Sequence, residues 1–576
     1  MRSPRRTAAY HKRVMESPAA VPDSPADEGA RPYRRPLFVV LGLALLGLLT
    51  FQGALDYGFV NYDDPAYVTA NPHVRGGVTA AGVRWAFTSF HASNYHPLTF
   101  LSHMLDCELF GLRPRGHHLT SLLLHIGAAT LLFAALRRMT GALGRSAFVA
   151  AVFAVHPLRV ESVVWIAERK DVLCGLFFFL ALVAYAAYVR RPGWGRYLAL
   201  CAAAACALMA KPMAVTLPCV LLLLDLWPLA RLPRTSWRAA ARSLGPLALE
   251  KAPLFALSAV FAYVTVKAQG AALATVELLD WPHRLANAAV SYVAYVGKIL
   301  APRDLAVFYP HAPIPAWKAV AAAAVVVAAT ALAAAAWRRA PYLTVGWLWY
   351  VGTLVPVIGL TQVGNQAMAD RFTYLPGVGV VIALTWGLAD LAGASAAGRR
   401  LPAAAAALAV LVLAGLARGQ VTVWQDSVTL FRHALAVTSP NVVAFVNLAE
   451  GLREAGRPEE AMAPYRAALA IEPTRVEAHA GLAAALRDSG RLDEAVESMG
   501  RALELAPEDP RFHHGMAAIL DAAGRRDEAI RHLEQAVELD PRYAAAHLGL
   551  ADLLGQRGET ERARRHLETA RALQPR

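Results

Sequence analysis

The sequence is short of charge. Only 17% of its 576 residues are Asp, Glu, Lys or Arg, against about 25% in soluble proteins. Hydrophobic residues make up 56% and the mean hydropathy is +0.37. A disordered or wholly soluble chain is thereby excluded, and many membrane spans are expected. Lysine is scarcer still, with seven in all. The net charge is nevertheless +14. In a soluble protein that excess would indicate nucleic acid. Here arginine-rich cytoplasmic loops account for it, and no nucleic-acid partner is expected. Cysteine is sparse and scattered, at Cys107, Cys174, Cys201, Cys206 and Cys219. Four of these lie in apolar runs, so neither a disulfide framework nor a zinc site is indicated. The length exceeds one ordinary domain.

Three parts follow from composition. Residues 1–36 are polar, rich in proline and arginine, and read as a disordered cytoplasmic tail rather than a cleavable signal. Residues 37–418 hold twelve apolar stretches of about span length, near 37–55, 118–136, 146–166, 172–189, 197–210, 212–229, 251–269, 285–301, 316–337, 342–360, 373–394 and 401–417. The arginine clusters at 137–145, 190–196, 231–242, 338–339 and 399–400 are all placed inside by the positive-inside rule. Alternation works only if 285–301, which carries Asn287 and Lys298, does not cross. Eleven crossings are expected, with 285–301 re-entrant or interfacial, and a twelve-span chain is the alternative. The tail is then inside, and the 56–117 loop and the C-terminus are outside.

Residues 422–576 are charged, amphipathic and periodic. Pro440, Pro473, Pro507, Pro541 and Pro575 are separated by 33, 34, 34 and 34 residues. Gly456, Gly490, Gly524 and Gly558 keep the 34-residue register, as do Ala461, Ala495, Ala529 and Ala563, and Ala468, Ala502, Ala536 and Ala570. Glycine permits a turn between two helices, alanine lets them approach, and proline ends the second. This is the tetratricopeptide pattern. It predicts a partial repeat at 424–440 and repeats at 442–475, 476–509, 510–543 and 544–576. Such a solenoid binds proteins by default. His513, His514, His532, His547 and His566 lack consistent metal spacing and are expected to be solvated.

Chemistry is expected in the first outer loop, 56–117. It carries Asp63 and Asp64 beside Tyr62 and Tyr67, and six histidines fall between His91 and His125, among them His96, His117 and His118. Adjacent carboxylates suit a general base, or a divalent cation, or simply an Asx turn before Pro65. Other ionisable groups lie at span ends: His156, Glu161, Arg169, Lys170 and Asp171, then Lys211, then Asp370, Arg371 and Tyr374. In the eleven-span topology all face one side of the membrane. Ionisable groups at membrane depth usually face a cavity or a partner. Acids and cations together suit a substrate with a phosphate at headgroup level and an apolar tail. Cations hold the phosphate and a carboxylate takes a proton from an attacking hydroxyl.

The order of "YDD", "HPLTFLSHMLDCELFGLRPRGHHLTSLLLH", "HPLRVESVVWIAERKD", "KP", "DRFTYLP" and tetratricopeptide repeats resembles the transmembrane and tetratricopeptide-repeat-containing O-mannosyltransferases of the GT-C glycosyltransferase superfamily. The resemblance implies an all-α fold, with a polytopic GT-C-like module of about eleven spans followed by a tetratricopeptide solenoid. It implies a polyprenyl-phosphate sugar donor, with mannose as the sugar, and Ser or Thr acceptors on exported proteins. Asp64 would be the base or acceptor-orienting group, with Asp63 supporting it. Lys211, Arg371 and Arg169 would hold the donor phosphate. His96, Glu161, His117, His118, Asp370 and Tyr374 would support the site. The acidic pair permits a divalent cation without requiring one. The alanine- and arginine-rich composition suggests a bacterial homologue, hence an inner membrane. A non-catalytic membrane scaffold that recruits envelope proteins through its repeats is the alternative, and a transporter fits less well, because the charge clusters at one face.

Overall fold

The computed structural model describes residues 34–270, 279–360, 366–392 and 396–573. Most of the expected N-terminal tail, residues 1–33, lies outside these. Residues Met1–Leu41 and Gly42–Arg576 form separate compact units. The architecture below concerns the second.

The chain is almost entirely helical. The one sheet among the described residues pairs two short antiparallel strands, β1 (Tyr309–Pro310) and β2 (Gln366–Met368). Proline opens many helices, including Pro97–Phe110, Pro114–Thr140 and Pro341–Leu354. At the first helical position its missing N–H costs nothing and its fixed φ is already helical.

The expected twelve apolar stretches all coincide with helices, but not with twelve straight spans. Among the described residues five helices are long and apolar enough to cross a membrane: Arg35–Asp56, Pro114–Thr140, Ile166–Arg190, Ala316–Ala336 and Pro402–Thr422. Two bent pairs, Leu143–Val155 with Pro157–Val164 and Trp237–Glu250 with Ala252–Ala268, bring the number to seven. Trp194–Ala210, Pro212–Leu226 and Gly377–Leu391 are shorter, at 10–17 residues. Eleven full-length crossings are therefore not what the helix lengths give. The reason is visible at the breaks. The 60° bend falls at His156–Pro157, and the helix Trp194–Ala210 stops at Lys211–Pro212. Non-helical backbone at membrane depth is tolerated where protein surrounds it, and both breaks are buried. The chain is a multi-pass membrane protein.

Helix Trp237–Glu250 lies in a segment expected to be a cytoplasmic loop. It presents Trp237, Leu244 and Leu249 to the exterior. Where it ends, a second buried charge group closes the structure. Asp225 accepts from Lys251 at 2.7 Å and Tyr185 at 2.5 Å, and Arg231 reaches Glu250 at 2.7 Å.

From Ser427 the chain becomes a stack of paired helices: Ser427–Val437, then Val442–Glu454 with Pro458–Ile471, Val476–Asp488 with Leu492–Leu505, Pro510–Ala522 with Arg526–Leu539, and Ala544–Gln556 with Thr560–Leu573. The glycine column adopts φ of +73°, +76°, +76° and +86° at Gly456, Gly490, Gly524 and Gly558. Side chains rarely adopt such angles. Ala461, Ala495 and Ala529 are fully buried where the paired helices meet.

Two of the five repeat histidines are not solvated as expected, while His514, His532 and His566 are half-buried. His513 and His547 are 9% and 5% exposed. Their Nδ1 atoms lie 3.1 and 2.9 Å from those of His532 and His566. The 34-residue register repeats the pair, and the Nε2 atoms contact the carbonyls of Pro507 and Pro541.

Replacing Gly524 with alanine should cost about 1–2 kcal/mol, because the left-handed turn is then occupied by a Cβ. Chemical denaturation of the full chain, followed by circular dichroism, measures the loss.

Candidate functional site

The acidic loop folds back onto the chain around residue 167. Asp64 is 1% exposed. One carboxylate oxygen accepts from the Val60 amide at 2.9 Å and the other from the Ala167 amide at 2.8 Å. It thus closes its own turn and fastens the loop to the start of the Ile166–Arg190 span. Burial pushes its pKa up to about 7, against the pull of those two amides. Asp63 differs. It is partly exposed, and no hydrogen bond engages its carboxylate among the described residues. Lys170 and Tyr67 lie within its electrostatic reach.

Behind the loop is a buried network centred on Glu168. Its carboxylate meets Lys170 at 3.0 Å, Lys211 at 3.3 Å and Arg371 at 3.2 Å. Lys211 also donates to Asp171 at 2.6 Å. Arg371 is clamped by Glu161, which takes its backbone N–H at 2.8 Å as well as its guanidinium. Three cations thus meet three carboxylates. The break after Val155, the Trp165–Glu168 turn and the Lys211–Pro212 break bring them together.

Aromatic rings line the same place. Trp165 stacks on Tyr62 with centroids 5.2 Å apart, and the Arg371 guanidinium lies 5.4 Å from its ring. Lys170 sits 4.5 Å over Tyr67. Burial and the neighbouring Asp63 carboxylate push the Tyr62 phenol up to about 12. His96 lies 3.3 Å from the Tyr67 hydroxyl. Burial first, then Lys170 and Lys211, hold it well below the usual histidine range, so it is neutral.

Of the residues singled out from sequence, the structure brings together Asp63, Asp64, His96, Glu161, Lys211 and Arg371. It sets others apart. Arg169 is fully buried and committed to Asp106 at 2.7 Å, to Ser121 and Ser102, and to the His117 carbonyl. His117 lies in that same second group, its Nδ1 3.5 Å from Asp106, and His118 is buried beside it in sequence. Tyr374 pairs with His125 at 2.8 Å. Both carboxylate oxygens of Asp370 lie 2.9 Å from the Tyr309 hydroxyl, whose one proton they share. Asp370 anchors β1 next to Arg371, with burial raising its pKa to about 6.

Glu168, the centre of the network, was missed. Its signal was the run Glu168–Arg169–Lys170–Asp171, four ionisable groups opening an apolar helix. Arg159 was missed too. It is 2% exposed, and its guanidinium lies against the rings of Phe153 and Tyr374.

The fold and site define a class: a multi-pass membrane protein with a buried acid–cation site at the end of its helices and a tetratricopeptide solenoid attached. The relatives give that class a name. A tetratricopeptide-repeat family model matches residues 452–519 and 522–576, in agreement with the 34-residue register. The chain is 30% identical over 183 residues to protein O-mannosyl-transferase Tmtc1 of Drosophila melanogaster, covering 30% of this chain and 21% of that protein. It is 30% identical over 200 residues to protein O-mannosyl-transferase TMTC2 of Homo sapiens, covering 32% and 24%. The longest of these matches is to TMTC4 of Mus musculus, with 24% identity over 495 residues, 74% of this chain and 66% of that one. The first two matches span only about a quarter of the relatives' lengths or less. The chain's similarity to the protein O-mannosyl-transferases agrees with the resemblance carried by its motifs. These three relatives are animal proteins, and the bacterial source suggested by composition draws no support from them. Among solved structures, MamA matches 25% of this chain and 85% of its own, at 18% identity and a TM-score of 0.24.

The Asp64 carboxyl has a sign that can be tested. Its folded pKa, about 7, lies above the unfolded value of 3.8. Its contribution to stability is therefore fully present below about pH 4 and lost as pH rises through 7. Thermal unfolding in detergent between pH 4 and 8 should fall more steeply with rising pH for the wild type than for Asp64→Asn.

Proposed function

We propose that the chain is a GT-C-type membrane glycosyltransferase that moves a sugar, mannose by analogy with its relatives, from a polyprenyl-phosphate donor to Ser or Thr hydroxyls of exported proteins. The observation that carries this is a partly exposed carboxylate, Asp63, within electrostatic reach of Lys170, one of three cations gathered on Glu168. The relatives' transferase names support it.

The two adjacent acids divide the work. Asp64 has both oxygens engaged by backbone amides, so it positions the loop. Asp63 has its carboxylate unengaged and is the base. Lys211, Arg371 and Lys170 are the phosphate cations, and Glu168 holds them as a resident anion until donor oxygens share them. Arg169, engaged by Asp106, Ser121, Ser102 and the His117 carbonyl, is not assigned that role. The acceptor hydroxyl gives its proton to Asp63 as its oxygen bonds to the anomeric carbon. The bond from that carbon to the phosphate oxygen breaks on the opposite side, and the electron pair leaves with the polyprenyl phosphate. The cations stabilise that developing charge. The anomeric centre inverts, and no covalent intermediate is needed.

Among the described residues no group of three His, Cys, Asp or Glu is arranged to hold a metal ion. Asp64 is occupied by amides and Glu168 by cations, so no step is assigned to a divalent cation. The topology that suits this chemistry has the N-terminus in the cytoplasm and the loop and repeats outside, with the repeats presenting acceptor proteins.

Asp63→Asn should lower transfer by about 10²–10⁴-fold, the usual contribution of a positioned base, with protein abundance unchanged. Comparative glycoproteomics of exported proteins reads the outcome, using a deletion strain that carries either gene. Hexose should disappear from specific Ser/Thr peptides in the variant. Unchanged glycosylation at equal abundance would overturn Asp63 as the base, and the same result for the Asp63/Asp64→Asn double variant would refute the transferase function and leave a membrane-anchored scaffold.

A further inference from the structure

The helix Arg169–Arg190 has a charge group at each end. At its start lies the Glu168 network, where the solenoid closes over the acidic loop. There the Asn61 backbone N–H donates to Ser427 at 2.9 Å, and its side-chain amide donates to the Asn447 carbonyl at 3.0 Å. Near its other end Tyr185 joins Asp225, Arg231, Glu250 and Lys251. Glu168 and Tyr185 are 17 residues apart, roughly 25 Å along a helix. The second group therefore lies toward the opposite membrane face, and no solenoid covers it.

Helix Trp237–Glu250 leads into that second group. Ser236 caps it, its hydroxyl oxygen accepting from the Ala239 amide at 3.1 Å. The helix bends 63° away from the span Ala252–Ala268. Its 14 residues measure about 21 Å, of which roughly 10 Å advances along the direction of that span. It thus runs more nearly along the membrane surface than across it. Its exposed surface has two edges. Trp237, Ala241 and Leu244 recur at four and three residues and share one edge. All three are exposed, Trp237 to 67%. Arg238 and Arg242, four residues apart and also exposed, occupy the next edge, about 100° round the helix. Leu247 is buried against the protein.

These arginines have no acidic partner. Arg231 takes Glu250 and Asp225, but Arg234, Arg238 and Arg242 make no ion pair among the described residues. The Arg238 guanidinium lies 5.5 Å from the Trp237 ring. The adjoining helix continues the pattern. The Tyr197 hydroxyl donates to the Glu250 carbonyl at 2.7 Å. Three residues earlier Trp194 is 82% exposed, and Arg196 is exposed beside it. Exposed tryptophan flanked by arginine is the pattern of the headgroup layer.

We infer that helix Trp237–Glu250 lies in the headgroup layer and that Arg234, Arg238 and Arg242 form a binding site for an anionic phospholipid of that leaflet. The apolar edge requires an apolar medium and the basic edge an anionic one. A single anionic phospholipid supplies both, and a guanidinium matches its phosphate through paired N–H donors. A second copy of the chain would set the same arginines against these. A soluble anion would leave Trp237 and Leu244 in water. The assignment does not depend on the transferase reaction.

The test places the full chain in nanodiscs of equal parts phosphatidylglycerol and phosphatidylcholine, with brominated acyl chains on one lipid or the other. Bromine quenches tryptophan emission on contact. The wild-type emission minus that of Trp237→Phe isolates Trp237 from the other tryptophans. Brominated phosphatidylglycerol should quench Trp237 more strongly, equivalent to about tenfold tighter relative association, within what three arginines at roughly fivefold each supply. The preference should vanish in about 1 M salt, where the Debye length is about 3 Å. It should vanish too in the Arg234→Gln/Arg238→Gln/Arg242→Gln variant, with Trp237 still quenched by both lipids. The salt arm uses the wild type alone, so the result stands even where the triple variant fails to fold. Absence of quenching by either lipid takes the helix out of the bilayer and overturns the inference. Equal quenching by both lipids at low salt, or a preference that survives high salt or the triple variant, overturns the anionic site.

Discussion

Burying a charge is tolerable only when it is paired, and Glu168 is where this structure meets that requirement. One carboxylate holds Lys170, Lys211 and Arg371, and for Lys170 it is the one ion-pair partner among the described residues. Glu161 and Asp171 complete the balance from either side. The backbone is bent to permit this. A straight helix through His156–Pro157 would carry Glu161 away from Arg371, and an unbroken one through Lys211–Pro212 would bury Lys211 without partners. The irregular segments are therefore a condition of the charge cluster.

The same requirement separates residues that look alike in sequence. Asp63 and Asp64 are neighbours, yet one is spent on two backbone amides while the other faces outward. Arg169 and Lys170 are neighbours as well. The first turns into a fully buried group with Asp106, Ser121 and His117, and the second turns toward Glu168. Successive helical residues point about 100° apart, which is enough to send adjacent charges into different networks.

This explains what was legible beforehand. The repeats were legible because helix, turn and close packing each demand a residue type at a fixed interval, so Gly490 and Ala495 recur regardless of ligand. The apolar stretches were legible by composition, but their lengths were not, since a helix of 10–17 residues and a full span read alike until the break is seen. In the site, the acids and cations could be named and their meeting foreseen. Their partners could not. Glu168 was passed over between more conspicuous neighbours, and the choice between Asp63 and Asp64 turns on the amides of Val60 and Ala167, which any sequence would supply.

The docking of the first repeat has a mechanical side. Asn61 is bonded to Ser427 and to Asn447, and Asp63 follows two residues later along the chain. Two residues of backbone therefore separate the docked first repeat from that carboxylate. Ala167, fixed to Asp64, acts as the counter-anchor on the membrane side. A displacement of the first repeat would therefore reach Asp63, whose carboxylate no amide restrains, before it reached Asp64, which two amides hold.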